Sequence, residues 1–106
     1  MVRLKVLWTR TAIRQRNHVF EYWNQRNQSN SYSRKLNIKI RERINQLKKL
    51  PELGTKTNYK KTRSLSLGHY SILYRIEEEQ LIITGFWDNR RDPEELLKFL
   101  LKQSEG

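Results

Sequence analysis

The chain of 106 residues contains no cysteine. Disulfide staples and thiolate metal sites are therefore excluded, and nothing indicates the redox compartment. Long apolar runs are missing too. No stretch approaches the length that spans a bilayer, and the opening MVRLKVLW lacks the layout of an export signal, so the cytoplasm is expected. Acidic residues are scarce: 11 Asp and Glu against 22 Lys and Arg. Hydrophobic residues reach only 36%, low for a globular domain. No histidine–carboxylate set has metal-binding spacing, and no Gly-rich phosphate loop, internal repeat or low-complexity segment is found. No cofactor is expected.

What is present is charge and pattern. The formal net charge is +11. Residues 1–63 hold 17 Lys/Arg and 3 Asp/Glu, a balance of +14, while residues 64–106 hold 5 and 8, a balance of −3. A surface this basic prefers a polyanion: nucleic acid, a ribosome or an acidic protein. The bland reading is a solubility surface, although small domains need only a few net charges for that. No basic helix shows the wide apolar opposite face of a membrane-surface segment.

The apolar residues are patterned strongly enough for one folded domain over residues 1–106. Val2, Leu4, Val6 and Trp8 alternate with Arg3, Lys5 and Leu7, a strand pattern. Thr9 or Thr11 suits a helix N-cap. Ala12, Ile13, Val19, Phe20 and Trp23 then recur at helical spacing to about Arg26, interrupted by Arg16. The other face of this helix shows Arg10, Arg14, Gln15, Asn17, His18 and Glu21, and His18 reads as a surface residue. A polar link from Asn27 to Ser31 leads to a second helix, about Tyr32 to Leu50. Its seam is Leu36, Ile40, Ile44, Leu47 and Leu50, and Pro51 and Gly54 stop it. Gly54 to Tyr59 reads as a loop. Three strand patterns follow: Thr62–Leu67, Tyr70–Ile76 and Leu81–Trp87. The last is apolar at most positions, as in a sheet interior. Asp92 and Pro93 suit a helix start, with Leu96, Leu97, Leu100 and Leu101 as its stripe.

The expected fold is α+β: strand, helix, helix, three antiparallel strands and a short C-terminal helix. The helical hairpin would cover one face of a four-stranded sheet, with the first strand beside the last and parallel to it. Such a sheet would bring two basic clusters, Lys60, Lys61 and Arg63 at one end of the meander and Arg90 and Arg91 at the other, onto one concave face.

In order and spacing, several stretches resemble the RelE/ParE family of bacterial type II toxin–antitoxin toxins. Trp8-Thr9, Ala12, Val19-Phe20 and Tyr22-Trp23 resemble its first strand end and helix. Leu36, Ile40, Ile44 and Leu47 with Leu50-Pro51 and Gly54 resemble its second helix and exit. Gly68 to Ile76 resembles its central glycine–tyrosine strand, and Gly85 to Pro93 its last strand and exit. The resemblance covers nearly the whole chain. It implies a cognate antitoxin that holds the toxin inactive, and a hetero-oligomeric complex. It does not fix the target. RelE-like members cut mRNA in the ribosomal A site; ParE-like members inhibit DNA gyrase and cut nothing.

Metal-independent RNA cleavage needs a base for the 2′-hydroxyl, cations for the developing phosphate charge and an acid for the leaving oxygen. By resemblance to the nucleases, Lys60, Lys61, Arg63, Arg90 and Arg91 would serve as the cations. His69 would stand in as acid or base, its intrinsic pKa lying near neutrality. Lys56 and Arg75 would add nucleic-acid contacts, and Tyr70 and Trp87 are the candidates for exposed stacking; Trp8, Trp23, Tyr74 and Phe86 read as core. Simpler readings stand beside these: solvated edge charges for Lys60 and Lys61, pairing with Glu77 or Glu79 for Arg75, docking of the last helix or an acidic antitoxin for Arg90 and Arg91, and plain exposure for His69. Two departures weigh against cleavage. The position after the central-strand tyrosine, an arginine in the nucleases, is Ser71. After Asp92 only Phe99 is aromatic, and it has no proton to give. The expectation is a ribosome-dependent mRNA endonuclease, with gyrase inhibition, or a non-toxic nucleic-acid- or antitoxin-binding relative, as alternatives.

Overall fold

A computed structural model describes residues 4–91 together with residues 94, 95, 98, 101 and 102. The elements are β1 (Lys5–Trp8), α1 (Arg10–Asn27), α2 (Ser31–Lys49), β2 (Thr55–Lys56), β3 (Arg63–Leu67), β4 (Tyr70–Glu77) and β5 (Gln80–Asp88). The sheet order is β1-β5-β4-β3-β2. β1 lies parallel to β5, with Val6 opposite Leu81, and the other pairings are antiparallel. Glu94, Glu95, Lys98, Leu101 and Lys102 are helical. The proposed start of the last helix at Asp92 and Pro93, and Leu96, Leu97 and Leu100 of its stripe, lie outside the described residues, as does Val2 of the first strand.

The expected sheet of four strands is in fact one of five among the described residues. Thr55 and Lys56, read as loop, pair with Ser64 and Arg63. The element is too short to carry a period, and its position is set by a contact made elsewhere. Gly54 N–H donates to the Tyr74 hydroxyl at 2.8 Å, and that hydroxyl donates to the Pro51 carbonyl at 2.8 Å. The chain leaving α2 is thereby fastened to the middle of β4 and runs back along β3. Lys60 and Lys61 also fall differently from expectation. They lie in a turn rather than opening a strand, and Lys61 has a left-handed φ of 45°. Thr57 closes that turn, its amide and hydroxyl both donating to the Thr62 carbonyl.

Thr9 is the N-cap of α1, its hydroxyl accepting from the Ala12 amide at 3.2 Å. Arg16, which breaks the apolar stripe in sequence, lies with its guanidinium over the rings of Trp8 and Phe20, at 4.8 and 5.7 Å. Partial burial there lowers its pKa. An arginine stem with a stacked head continues an apolar stripe instead of ending it. On α2, Leu36, Ile40, Ile44 and Leu47 are buried against the sheet.

β4 is the central strand. Tyr70, Ile72 and Tyr74 face the helices, while Leu73 and Trp87, with Tyr59 against them, form a second apolar cluster. Gly68, at φ +63°, supplies the turn into β4. A bulge re-phases β5: Leu73 pairs with Gly85 but Tyr74 pairs with Ile83, so Thr84 is the extra residue. Ile83 and Phe86 consequently both join the helix-side core despite their odd spacing. β1 covers β5 only as far as Ile83. Beyond it α1 crosses the open edge, and the Gln15 carbonyl oxygen accepts from the Phe86 amide at 2.9 Å.

Tyr74 is fully buried, so Tyr74→Phe should leave the Gly54 amide and Pro51 carbonyl short of a partner and cost about 1–3 kcal/mol. Urea denaturation would measure it. Gly54→Ala should cost more, because an added Cβ would sit 2.6 Å from the Tyr74 hydroxyl oxygen.

Candidate functional site

The residues expected to carry function divide between two ends of the sheet. Arg63 lies opposite Tyr74, whereas Tyr70 lies opposite Asp88. Tyr70 and Tyr74 are four residue steps apart on β4, about 13 Å. The two basic clusters therefore lie at opposite ends of β4 rather than at one point.

At the first end, Arg63 reaches to the helix side of the sheet. Its guanidinium donates to the carbonyls of Gly54 at 2.7 Å and Glu52 at 3.2 Å. Its role in the fold is to hold the exit of α2, through Nη1. Lys56, Lys60 and Lys61 are exposed. Lys56, Lys61 and Arg63 line a groove of about 950 Å³ together with Leu50, Leu53 and Ile76. Arg75 points to the opposite face and pairs with Glu77 at 2.8 Å, the simpler of its two readings.

At the second end, the Arg90 guanidinium forks onto Asp88, with Nε–Oδ1 at 2.9 Å and Nη2–Oδ2 at 2.8 Å. The Arg90 amide also donates to the same carboxylate. These hydrogen bonds from Arg90 hold the Asp88 carboxyl below its ordinary pKa and raise that of the guanidinium. Arg91 pairs with Glu95 at 2.7 Å and lies over the Trp87 ring at 4.5 Å. Tyr70 and Trp87 are not exposed stacking surfaces. They are 2% and 4% exposed, Tyr70 because α1 reaches it through Trp23 and Trp87 because it packs with Leu73 and Tyr59 on the other face of the sheet. Tyr70 stacks on Phe86, accepts a hydrogen bond from the Trp23 indole at 2.8 Å, and has its phenol pKa raised by burial. Of the expected core aromatics, Tyr74 and Phe86 are buried, and Trp8 and Trp23 are half-buried.

Ser71 is buried, and its hydroxyl donates to the Asn89 side-chain oxygen at 2.7 Å. The Asn89 amide in turn donates to the His69 carbonyl at 2.7 Å. These bonds lock the Gly68-His69 turn to the end of β5. His69 itself is exposed, close enough for its charge to influence Asp88. His18, also exposed, lines a cleft of about 740 Å³ between α1 and the end of β5, with Arg14, Tyr22, Tyr70 and Arg90. Sequence reasoning missed this cleft. It exists only because α1 crosses β5 at Gln15 and Phe86, a contact between residues 71 positions apart. Among the described residues, no group of His, Asp and Glu could hold a metal ion.

Comparison with known proteins gives the scaffold its family. A model of the ParE toxin of the type II toxin–antitoxin system parDE matches residues 6–93. The chain belongs to the ParE toxin family. Its fold is also similar to that of a chain from the chromosomal ParDE system of P. aeruginosa, with a TM-score of 0.69 and 17% identity. That match covers 80% of this chain and 95% of the other. No curated protein matches by sequence. Membership in the ParE family makes an antitoxin the implied partner. No described helix is long and apolar enough to cross a membrane.

The Asp88–Arg90 pair gives this ParE-family toxin an acid limb of stability. The folded carboxyl titrates below its unfolded value, near 3.8. Its contribution is thus present above that pH and is lost as pH falls through the lower folded value. Thermal unfolding followed from about pH 5 to about pH 2 should show the wild type losing more than Asp88→Asn, with the two curves converging at the acid end.

Proposed function

We propose that this toxin acts by binding its target, as a DNA gyrase inhibitor, and performs no cleavage of its own. The observation that carries this reading is Ser71. Where the nuclease members of the wider group place an arginine, this chain has a buried serine whose hydroxyl is used within the fold. An arginine's length and charge could not be accommodated there without unseating Asn89 and the end of β5.

The rest of the site supports the same view. Arg63 is bonded to backbone carbonyls, and Arg75, Arg90 and Arg91 are each paired with a carboxylate. His69, the acid–base candidate named from the sequence, belongs to the end of β4 away from Lys60 and Lys61. General acid–base chemistry requires the base within hydrogen-bond reach of its proton, with the cations on the same phosphate. A binding toxin needs only a surface. The ParE family model adds the family's association with gyrase.

A second reading, ribosome-dependent mRNA cleavage, retains one point in its favour: Lys56, Lys60 and Lys61 form an exposed cluster without ion pairs among the described residues. Brief expression without antitoxin separates the two. Altered plasmid supercoiling with intact translated mRNA is expected, and codon-phased cuts with normal supercoiling would reverse the assignment. Harmless expression would remove both. The combined Lys60→Ala, Lys61→Ala, His69→Ala variant should stay within about threefold of wild type in toxicity, whereas loss of a general acid–base group from a nuclease would cost about 10²–10⁴-fold.

A further inference from the structure

The three ion pairs found among the described residues all involve β4, β5 or the segment just after it. The helical hairpin holds none, yet it carries most of the charge. α1 and α2 together contain 11 Lys/Arg and 2 Glu. On α2 alone the count is seven against one.

The placement of these seven is regular. Arg34, Arg41 and Lys48 are seven residues apart and form one line along the helix. Lys35, Lys39 and Arg43 are four apart and form a second. Lys49 lies on the arc between them. The buried seam of Leu36, Ile40, Ile44 and Leu47 faces the sheet, so both lines flank the outward side. At 1.5 Å per residue the 19-residue helix is about 28 Å long. Like charges at i and i+4 destabilise a helix, and a surface built for solubility intersperses both signs. Here Lys35–Lys39 and Lys39–Arg43 are both like-charged pairs, and Glu42 forms no salt bridge among the described residues. A ligand of opposite charge relieves such repulsion.

The uncharged residues on this side narrow the ligand's chemistry. Ile38 is the one large exposed apolar residue of α2. A protein partner would need a broader apolar centre to its footprint than Ile38 alone supplies. A single-stranded nucleic acid would need aromatic platforms for its bases. α2 has one aromatic, Tyr32, which is half-buried and packed against Trp23. A duplex backbone needs only cations and polar donors along a line, and Asn45 and Gln46 add the latter.

We propose that the outward face of α2 is a docking surface for the phosphate backbone of duplex DNA, bound without regard to sequence. The surface is distinct from the paired arginines of β4 and β5, and duplex binding is measurable with no target enzyme present. In a toxin directed at a DNA-bound enzyme, this face would place it on the nucleic acid beside that enzyme.

The test is fluorescence anisotropy of the full chain with a labelled 20-base-pair duplex over a series of salt concentrations. If about five of the seven cations meet phosphates, the plot of log K against log salt should have a slope of about −4.5. Lys35→Gln, Lys39→Gln, Arg43→Gln keeps good helix formers, so circular dichroism should be unchanged. It should weaken binding at least tenfold and make the slope shallower by about 2–3. The matched variant Lys56→Gln, Lys60→Gln, Lys61→Gln removes the same charge from β2 and the turn after it, past the C-terminal end of α2, and should leave the slope within about 1 of wild type. The proposal is overturned if wild type shows no duplex binding at low salt, if the two variants lose affinity equally, or if a single strand of the same length binds as tightly as the duplex. Gyrase inhibition measured in parallel tests the target assignment separately, since a toxin without gyrase activity can still show the α2-dependent slope.

Discussion

The hydroxyl of Tyr74 is the contact on which most of the arrangement depends. It sits at the centre of β4, fully buried, and makes two hydrogen bonds to the chain that leaves α2. A buried hydroxyl without partners would be costly, and so would the Gly54 amide and the Pro51 carbonyl. Each group satisfies the others. The consequence is geometric. The α2 exit is fixed against the sheet, Gly54 must be glycine because of the close approach, and Arg63 finds carbonyls at hand. β2 follows from the same constraint, as does the turn that presents Lys60 and Lys61.

Charge is then sorted by the scaffold into two kinds. On β4, β5 and the segment beyond, each arginine has an acid within reach, and each pair ties one piece of backbone to the next. Arg90 on Asp88 closes the end of β5, and Arg91 on Glu95 leads onward. Exposed pairs of this sort add little stability singly, but they occupy the donors that a phosphate would need. α2 shows the reverse: cations with no carboxylate partner among the described residues, on a helix whose inward seam is fully used for packing. Reading the net charge of +11 as one quantity conceals this division.

Much of the fold was legible because its signals are local and periodic. The seam of α2, the alternation of β4, the Thr9 cap and the parallel placement of β1 beside β5 all follow from spacing or connection rules. What was not legible depended on distant contacts. β2 is two residues long and has no period. The Thr84 bulge changes which residues of β5 face the helices, and no local pattern marks it. Tyr70 and Trp87 looked available because they end or border strands, where aromatics are often exposed. In the fold, α1 reaches Tyr70 through Trp23, and Trp87 packs with Leu73. The Arg75–Glu77 pair was legible from spacing, whereas the contacts of Arg63 were not, since it bonds to carbonyls that any sequence would supply.

The Ser71–Asn89 bond bears on how one scaffold serves different targets. A position on the face of β4 opposite the helices can carry either a long cation for a transition state or a short donor for the fold. Taking the second option shortens the reach of the sheet and stiffens the join between the Gly68-His69 turn and the end of β5. A catalytic sheet must concentrate unpaired cations near one phosphate and bear the repulsion. A binding toxin has no such requirement and can satisfy its sheet arginines internally. Repulsion is then tolerated only where it serves contact, along a solvent-facing helix that the core already holds in place by Leu36, Ile40, Ile44 and Leu47. By that logic, the proposed binding function directs attention to the cations of α2 that have no carboxylate partner among the described residues, ahead of the paired arginines of the sheet.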